Sequence, residues 1–376
     1  MRKIFWLGFF GLLLFEIANV YFIMPMPGSQ QMNSLDAAYF LYKWRWIFRV
    51  VFGLMILIGL FRGRWHRRWK WALILPLAIL AAVIYMANFQ AAADKMFRVP
   101  NQLLFASAAE NKVDSMRLVI GVTINGEAKA YPIQYIGYHH HLQDSVGGKA
   151  ILVTYCTVCR TGRVFEPFVR GKRENFRLVG MDHFNAMLED ATTGSWWQQA
   201  TGLAVAGKLK GEQLPEVLSM QTSLSMWLNL YPNSLIMQAD PDFVNSYDTS
   251  FKYESGASKS RLTGTDSSSW KVKSWVIGVK SGTERKVFDW NQLVKDKVIH
   301  DTIQTRPLAV VLSNDQKSFF AFRLPTFDAR LSLQNDTIIY NGRQFRLNGT
   351  GIDTTASFEP LQAYQEFWHS WRTFNQ

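Results

Sequence analysis

The sequence predicts an α+β protein, mainly β, whose internally duplicated outer domain follows an N-terminal anchor of three transmembrane helices. Three observations predict this. Long apolar stretches are confined to the first 92 of 376 residues. A block of short β-type runs that begins near Val119 recurs near Val276. Turn-forming pairs such as Asn-Gly and Gly-Gly punctuate those runs. With 14% aromatic residues the chain has material for two or three cores.

The anchor comes first. Residues 4–24 are apolar over about the length of a bilayer-spanning helix, interrupted by Glu16 and Asn19. Further apolar runs cover 46–61 and 71–90. The second is short, so Arg49 must snorkel or the preceding AAYFLYKWRW must extend the helix. Glu16 is expected to neutralise Arg49 or to face neighbouring helices rather than to carry ions. Two further spans argue against a cleaved signal peptide.

Charge distribution sets the orientation. The net charge is +12, but ten Lys and Arg precede position 71 against only Glu16 and Asp36, which accounts for eight of it. The nearly balanced remainder has no footprint for nucleic acid. RGRWHRRWK at 62–70 should stay in the cytoplasm by the positive-inside rule. The expected location is therefore a bacterial inner membrane, with several passes, the N-terminus inside and the C-terminal domain outside. The lipid bilayer is the first expected partner.

The outer region reads as two related copies, 93–245 and 246–376. VIGV at 119–122 returns at 276–279, a shift of 157. The same shift aligns Tyr131 with Phe288, Asp144 with Asp301 and Phe165 with Phe322. DATTGSW from Asp190 resembles DTTASF from Asp353, and Trp-bearing segments close both halves, at Trp227 and at Trp368 and Trp371. Asn125-Gly126 and Asn341-Gly342 predict hairpins, and Gly147-Gly148 precedes a strand at 150–155. RTGRVFEPFV reads as a returning strand, which places CTVC at a strand end or hairpin turn. SLSMWLNLY and LQAYQEFWHSWRTF read as helices.

Both cysteines, Cys156 and Cys159, and three of seven histidines, His139, His140 and His141, fall within positions 138–165. In the second copy these five positions hold Ser313, Gln316, Asp296, Lys297 and Val298, so the scaffold pattern survives without them. C-x-x-C can be a redox dithiol, half of a metal site, a haem attachment or a structural disulfide. Haem c is not expected, because Arg160 stands where histidine is required. A thioredoxin-type helix N-terminus is disfavoured by the β-like residues that follow. Two thiolates and imidazoles suit copper or zinc, and an extended HHH run would present His139 and His141 on one face. An oxidising exterior favours a disulfide instead. His300 and His369, in the second half, are expected to take no part. Trp196 and Trp197 read as core, with Thr193, Ser195 and Gln199 as polar neighbours. No Gly-rich phosphate loop, zincin helix or G-x-S-x-G elbow is present.

From about Val119 onward these residues resemble a bacterial family catalogued as domain of unknown function 3179. The resemblance rests on His139, Asp144, Tyr155, Cys156, Cys159 and Thr161, then Asp190, Thr193, Gly194, Ser195, Trp197 and Gln199, and finally Phe367, Trp368 and Trp371. The resemblance implies that Asp144, Tyr155, Thr161, Asp190, Thr193, Ser195, Trp197 and Gln199 line a site. His140 stands where the family has Glu, Gln143 where it has Asn, and Arg160 where it has Gly. The family brings no established activity. The expectation is a membrane-tethered extracytoplasmic protein that binds copper or zinc, or works as a thiol/disulfide site, through C-x-x-C and neighbouring His. The alternative is a non-catalytic module with a Cys156–Cys159 disulfide that binds a small molecule or envelope protein.

Overall fold

The computed structural model describes residues 1–66 and 71–375, which fall into two compact units. Four cationic-loop positions, 67–70, thus lie outside the described residues. One unit comprises Met1–Arg98, Phe176–Gln198 and Leu203–Glu212, and the other Val99–Asn175, Gln199–Gly202 and Gln213–Gln376. The whole is a mixed α+β chain with helices first and a mostly β region after them.

In the first unit, one helix among the described residues, Arg2–Tyr21, is long and apolar enough to cross a bilayer by itself. Leu35–Lys43 and Arg45–Arg62 reach that length only together and are bent by 61°, and Ile74–Gln90 is a shorter apolar helix. The segment before position 46 is helical, as the extension reading requires, but it turns away from its successor. Glu16 is fully buried and takes Arg49 Nε at 2.7 Å, and Asn88 joins both through bonds of 2.6 and 3.0 Å. A charge without solvent needs such a partner, so the pairing of Glu16 with Arg49 is realised and draws three helices together.

The same unit contains a four-stranded sheet, Phe176–Asp182, Asn185–Asp190, Trp196–Gln198 and Ala204–Ala206. Trp196 lies in its surface against Tyr39 and Tyr42 of the helix Leu35–Lys43, with ring centroids 5.0 and 5.3 Å apart.

In the second unit, Leu118–Ile124, Glu127–Pro132, helix Ile133–His139, His141–Val146, Lys149–Cys156 and Thr161–Phe165 follow one another. Trp275–Ser281, Glu284–Asp289, helix Trp290–Asp296, Val298–Ile303, Arg306–Leu312 and Phe319–Arg323 repeat that order. Details repeat as well. Lys129 Nζ bonds Asp144 at 3.0 Å and the Ser145 carbonyl at 2.8 Å, while Lys286 Nζ bonds Asp301 at 2.6 Å and the Thr302 carbonyl at 2.8 Å. Gly121 lies beneath the Trp227 indole and Gly278 beneath that of Trp371, so close that an added Cβ would come within 2.1 Å and 1.8 Å of the rings. Only glycine admits that approach.

The hairpin turns follow their chemistry. Asn125 and Gly126, at φ 50° and 83°, and Asn341 and Gly342, at 48° and 75°, both have the positive φ pair that suits a tight two-residue hairpin. The C-terminal run departs from its helical reading. Pro360–Phe367 is a strand and only Trp368–Phe374 is a helix. The strand lies inside a six-stranded sheet between Trp275–Ser281 and Phe319–Arg323, whose backbone groups need its partners. Sheet pairing outweighs local propensity there.

Candidate functional site: the cysteine hairpin

Lys149–Cys156 and Thr161–Phe165 form an antiparallel hairpin whose last pair is Cys156 with Thr161. The C-x-x-C run therefore makes the turn, as the strand-end reading expects. Arg160 closes it in a left-handed conformation, φ 55°, a backbone setting that glycine adopts most easily. Both cysteines are fully buried, and no disulfide joins them in this structure. The structural disulfide of the alternative reading is thus not formed.

The three histidines do not form an extended run. His139 ends a helix, His140 caps it at φ 62°, and His141 opens a strand. Lys297 occupies the equivalent cap at φ 61°. The backbone bonds match too, from His140 N to Ile136 O at 2.8 Å and from Lys297 N to Leu293 O at 2.9 Å. The cap conformation belongs to the repeated scaffold, and a helix end cannot present alternate residues as a strand does.

His139 packs edge-on to Phe243 and Tyr247, with Nε2 2.8 Å from the Tyr247 hydroxyl. His140 Nδ1 stands 2.8 Å from the Tyr155 carbonyl. Its burial pulls the imidazole down to about 4, more than the Tyr155 bond restores, and His139 lowers it further. Among the described residues no three His, Cys, Asp or Glu side chains form a group able to hold a metal ion.

The other predicted positions separate into three settings. Asp144 accepts from Lys129 and from the Tyr131 hydroxyl at 2.7 Å, in the scaffold pair already described. Asp190 closes the turn between two strands of the first unit. Its carboxylate accepts from Thr193 N at 2.6 Å, Thr193 Oγ1 at 2.9 Å, Ser195 N at 3.1 Å and Trp197 Nε1 at 2.9 Å. The D-x-x-T-G-S-x-W pattern is therefore a turn lock. Tyr155, Thr161 and Gln199 remain at the cysteine hairpin, where Gln199 Nε2 donates to Thr154 Oγ1 at 3.0 Å and Thr161 O at 3.1 Å. Burial pushes the Tyr155 phenol up to about 12, against the lowering effect of Arg160.

Sequence reasoning missed the residues that face the turn from the second half. Phe367 N donates to the Cys159 carbonyl at 2.9 Å, and His369 N to the Val272 carbonyl at 3.1 Å. This brings Lys273 and His369 onto the turn. Lys273 Nζ donates to Val158 O at 2.9 Å and Leu262 O at 2.6 Å, and lies 3.2 Å from His369 Nε2. His369 Nε2 is also 3.3 Å from Val158 O, so His369 lies at the turn. His300 lies elsewhere, with Nε2 accepting from Leu331 N at 2.8 Å. Burial pulls the Lys273 ammonium down to about 8, and both thiols, Cys159 more than Cys156, pull it back up. Burial, followed by the Lys273 charge, lowers His369 to about 4. Arg160 adds a second cation, a buried guanidinium 4.3 Å over the Trp275 ring and bonded to the Tyr253 carbonyl. No local motif marks Lys273, which lies more than a hundred positions from the cysteines.

Fold and site define a two-unit α+β protein with an apolar N-terminal helix and a buried C-x-x-C hairpin overlain by cations. The chain belongs to the DUF3179 family, described as proteins of unknown function, whose sequence profile it matches over residues 101–376. No curated protein and no solved structure matches it.

Proposed function

We propose that this is a membrane-tethered extracytoplasmic protein whose working centre is the Cys156/Cys159 dithiol, used in exchange with a small disulfide. The observation that carries this reading is the buried turn with Lys273 beside both thiols, since a nearby cation favours the thiolate that performs exchange. One thiolate attacks a sulfur of the reactant disulfide and displaces a thiol. The second cysteine then attacks the mixed disulfide and releases the other thiol. Two electrons pass to the reactant, two protons end on the released thiols, and Cys156–Cys159 becomes the disulfide. Full burial of both sulfurs favours a low-molecular-weight reactant over a folded protein.

Full-length protein, isolated under reducing conditions, should lose two titratable thiols on incubation with oxidised glutathione and regain them with dithiothreitol. Thiols that stay unreactive while the protein remains folded would sink the exchange reading. Stoichiometric copper or zinc that disappears in Cys156→Ser/Cys159→Ser would replace it with metal binding.

The tether is read as three spans, 4–24, 46–61 and 71–90, with the N-terminus inside. The Glu16, Arg49 and Asn88 cluster supports joint insertion, because each polar group has its partner within the bundle. The two copies in the β-rich unit are read as a duplication whose second member has lost the thiols. Protease added to intact spheroplasts should digest the C-terminal region, and its complete protection would reverse the topology.

A further inference from the structure

Lys273 comes from the second half of the chain, yet its ammonium is fixed at the cysteine turn of the first. Two of its protons go to Val158 O and Leu262 O, at 2.9 and 2.6 Å. Val158 stands between the two cysteines, so the first bond ties the charge to the turn itself. His369 Nε2, 3.2 Å from Nζ and 3.3 Å from Val158 O, either receives the third proton or shares the carbonyl, according to its tautomer. The Phe367 ring lies 4.6 Å below Nζ, and the Phe367 amide bonds Cys159 O at 2.9 Å. This cation, half-buried, is therefore held by four contacts.

The second half shows the same turn without thiols and, among the described residues, without a lysine over it. Its corresponding turn holds Asp315 between Ser313 and Gln316, and the Asp315 carboxylate accepts from Lys317 N at 2.8 Å, Ser318 N at 2.8 Å, Ser318 Oγ at 2.6 Å and Ser223 Oγ at 2.7 Å. That turn is locked by an anion and hydroxyl groups. Where the thiols are present, a lysine takes up the position over the turn. Even partial burial of an ammonium carries a desolvation cost, which a neighbouring thiolate offsets.

We propose that Lys273 is a positioning residue that stabilises the reduced, thiolate-bearing state of Cys156/Cys159, with His369 and the Val158 and Leu262 carbonyls holding its ammonium in place. The proposal rests on the exchange reading above. Charged or titratable groups facing the turn are Arg160 on the hairpin, Lys273 on the 270–274 segment, His369 on the C-terminal helix, and Tyr155 on the preceding strand. Because the cation favours thiolate over disulfide, its removal should make the pair easier to oxidise.

The test is the equilibrium of the full-length protein with reduced and oxidised glutathione, read by quantifying alkylated thiols. Lys273→Gln, which keeps hydrogen-bond donors and removes the charge, should raise the equilibrium constant for disulfide formation about tenfold, a potential lower by about 30 mV. Lys273→Arg should stay within about threefold of wild type if charge is what matters, by the same scale. An unchanged constant in a folded Gln variant overturns the role of Lys273 and leaves thiol exchange intact. Should the Gln variant not fold, the Arg variant decides: a constant near wild type supports the proposal, and a tenfold shift overturns it. A wild-type pair that glutathione cannot oxidise at any ratio removes the exchange reading and this inference together.

Discussion

His140 shows how one side chain answers to both scaffold and surroundings. Its left-handed backbone is shared with Lys297, so it is required by the helix end and not by imidazole chemistry. Its burial is a different matter, because burial holds the ring neutral and lowers it to about 4. In the unfolded chain the same ring titrates near 6.5. The folded state thus binds fewer protons between those values, and stability from this group is complete above about pH 6.5 and is lost as pH falls toward about 4. His140→Asn tolerates the left-handed backbone and cannot titrate. Melting temperatures measured from pH 8 to pH 4 should fall less steeply for this variant than for wild type. Parallel curves would show that His140 does not contribute to acid sensitivity.

At the scale of elements, legibility followed locality. Hairpins at Asn125-Gly126 and Asn341-Gly342 could be read because two adjacent residues decide the backbone there. The cysteine turn was readable for the same reason, since β-type runs flank it on both sides. The shift that aligns Val119 with Val276 also matched elements that follow the same order in both halves, because strands in the same order share their apolar spacing. Pro360–Phe367 was misread as helix because its apolar residues fit either period, and only its two strand neighbours decide between them. The Asp190 motif was legible as a motif but not as a turn lock, for its meaning lies in four bonds to one carboxylate. Lys273 and His369 could not be found at all, since their approach to Val158 depends on how the two halves pack.

At the scale of the whole β-rich unit, what joins the two halves is partly ionic. Arg163, on the cysteine hairpin, meets Glu366, on the C-terminal strand, with Nη2 2.8 Å from Oε1 and both side chains at most 1% exposed. Arg163 Nε also donates to Ala200 O at 3.0 Å, and its guanidinium lies 3.1 Å over the Tyr364 ring. Tyr364 in turn bonds Glu216, which Lys280 reaches at 2.8 Å. Removing water from two charges offsets much of their attraction, so the pair as a whole contributes little net stability, whereas leaving one charge alone in that interior is costly. Arg163→Met should therefore destabilise the protein by about 3–5 kcal/mol, the usual cost of breaking a buried pair. Arg163→Met/Glu366→Leu should recover most of that loss, because no charge is then left uncompensated. Denaturant unfolding of wild type, both single variants and the double variant in detergent completes the cycle. A single variant that loses less than about 1 kcal/mol, in the range of an exposed pair, would mean that water reaches Glu366 and that the halves are held by apolar packing alone.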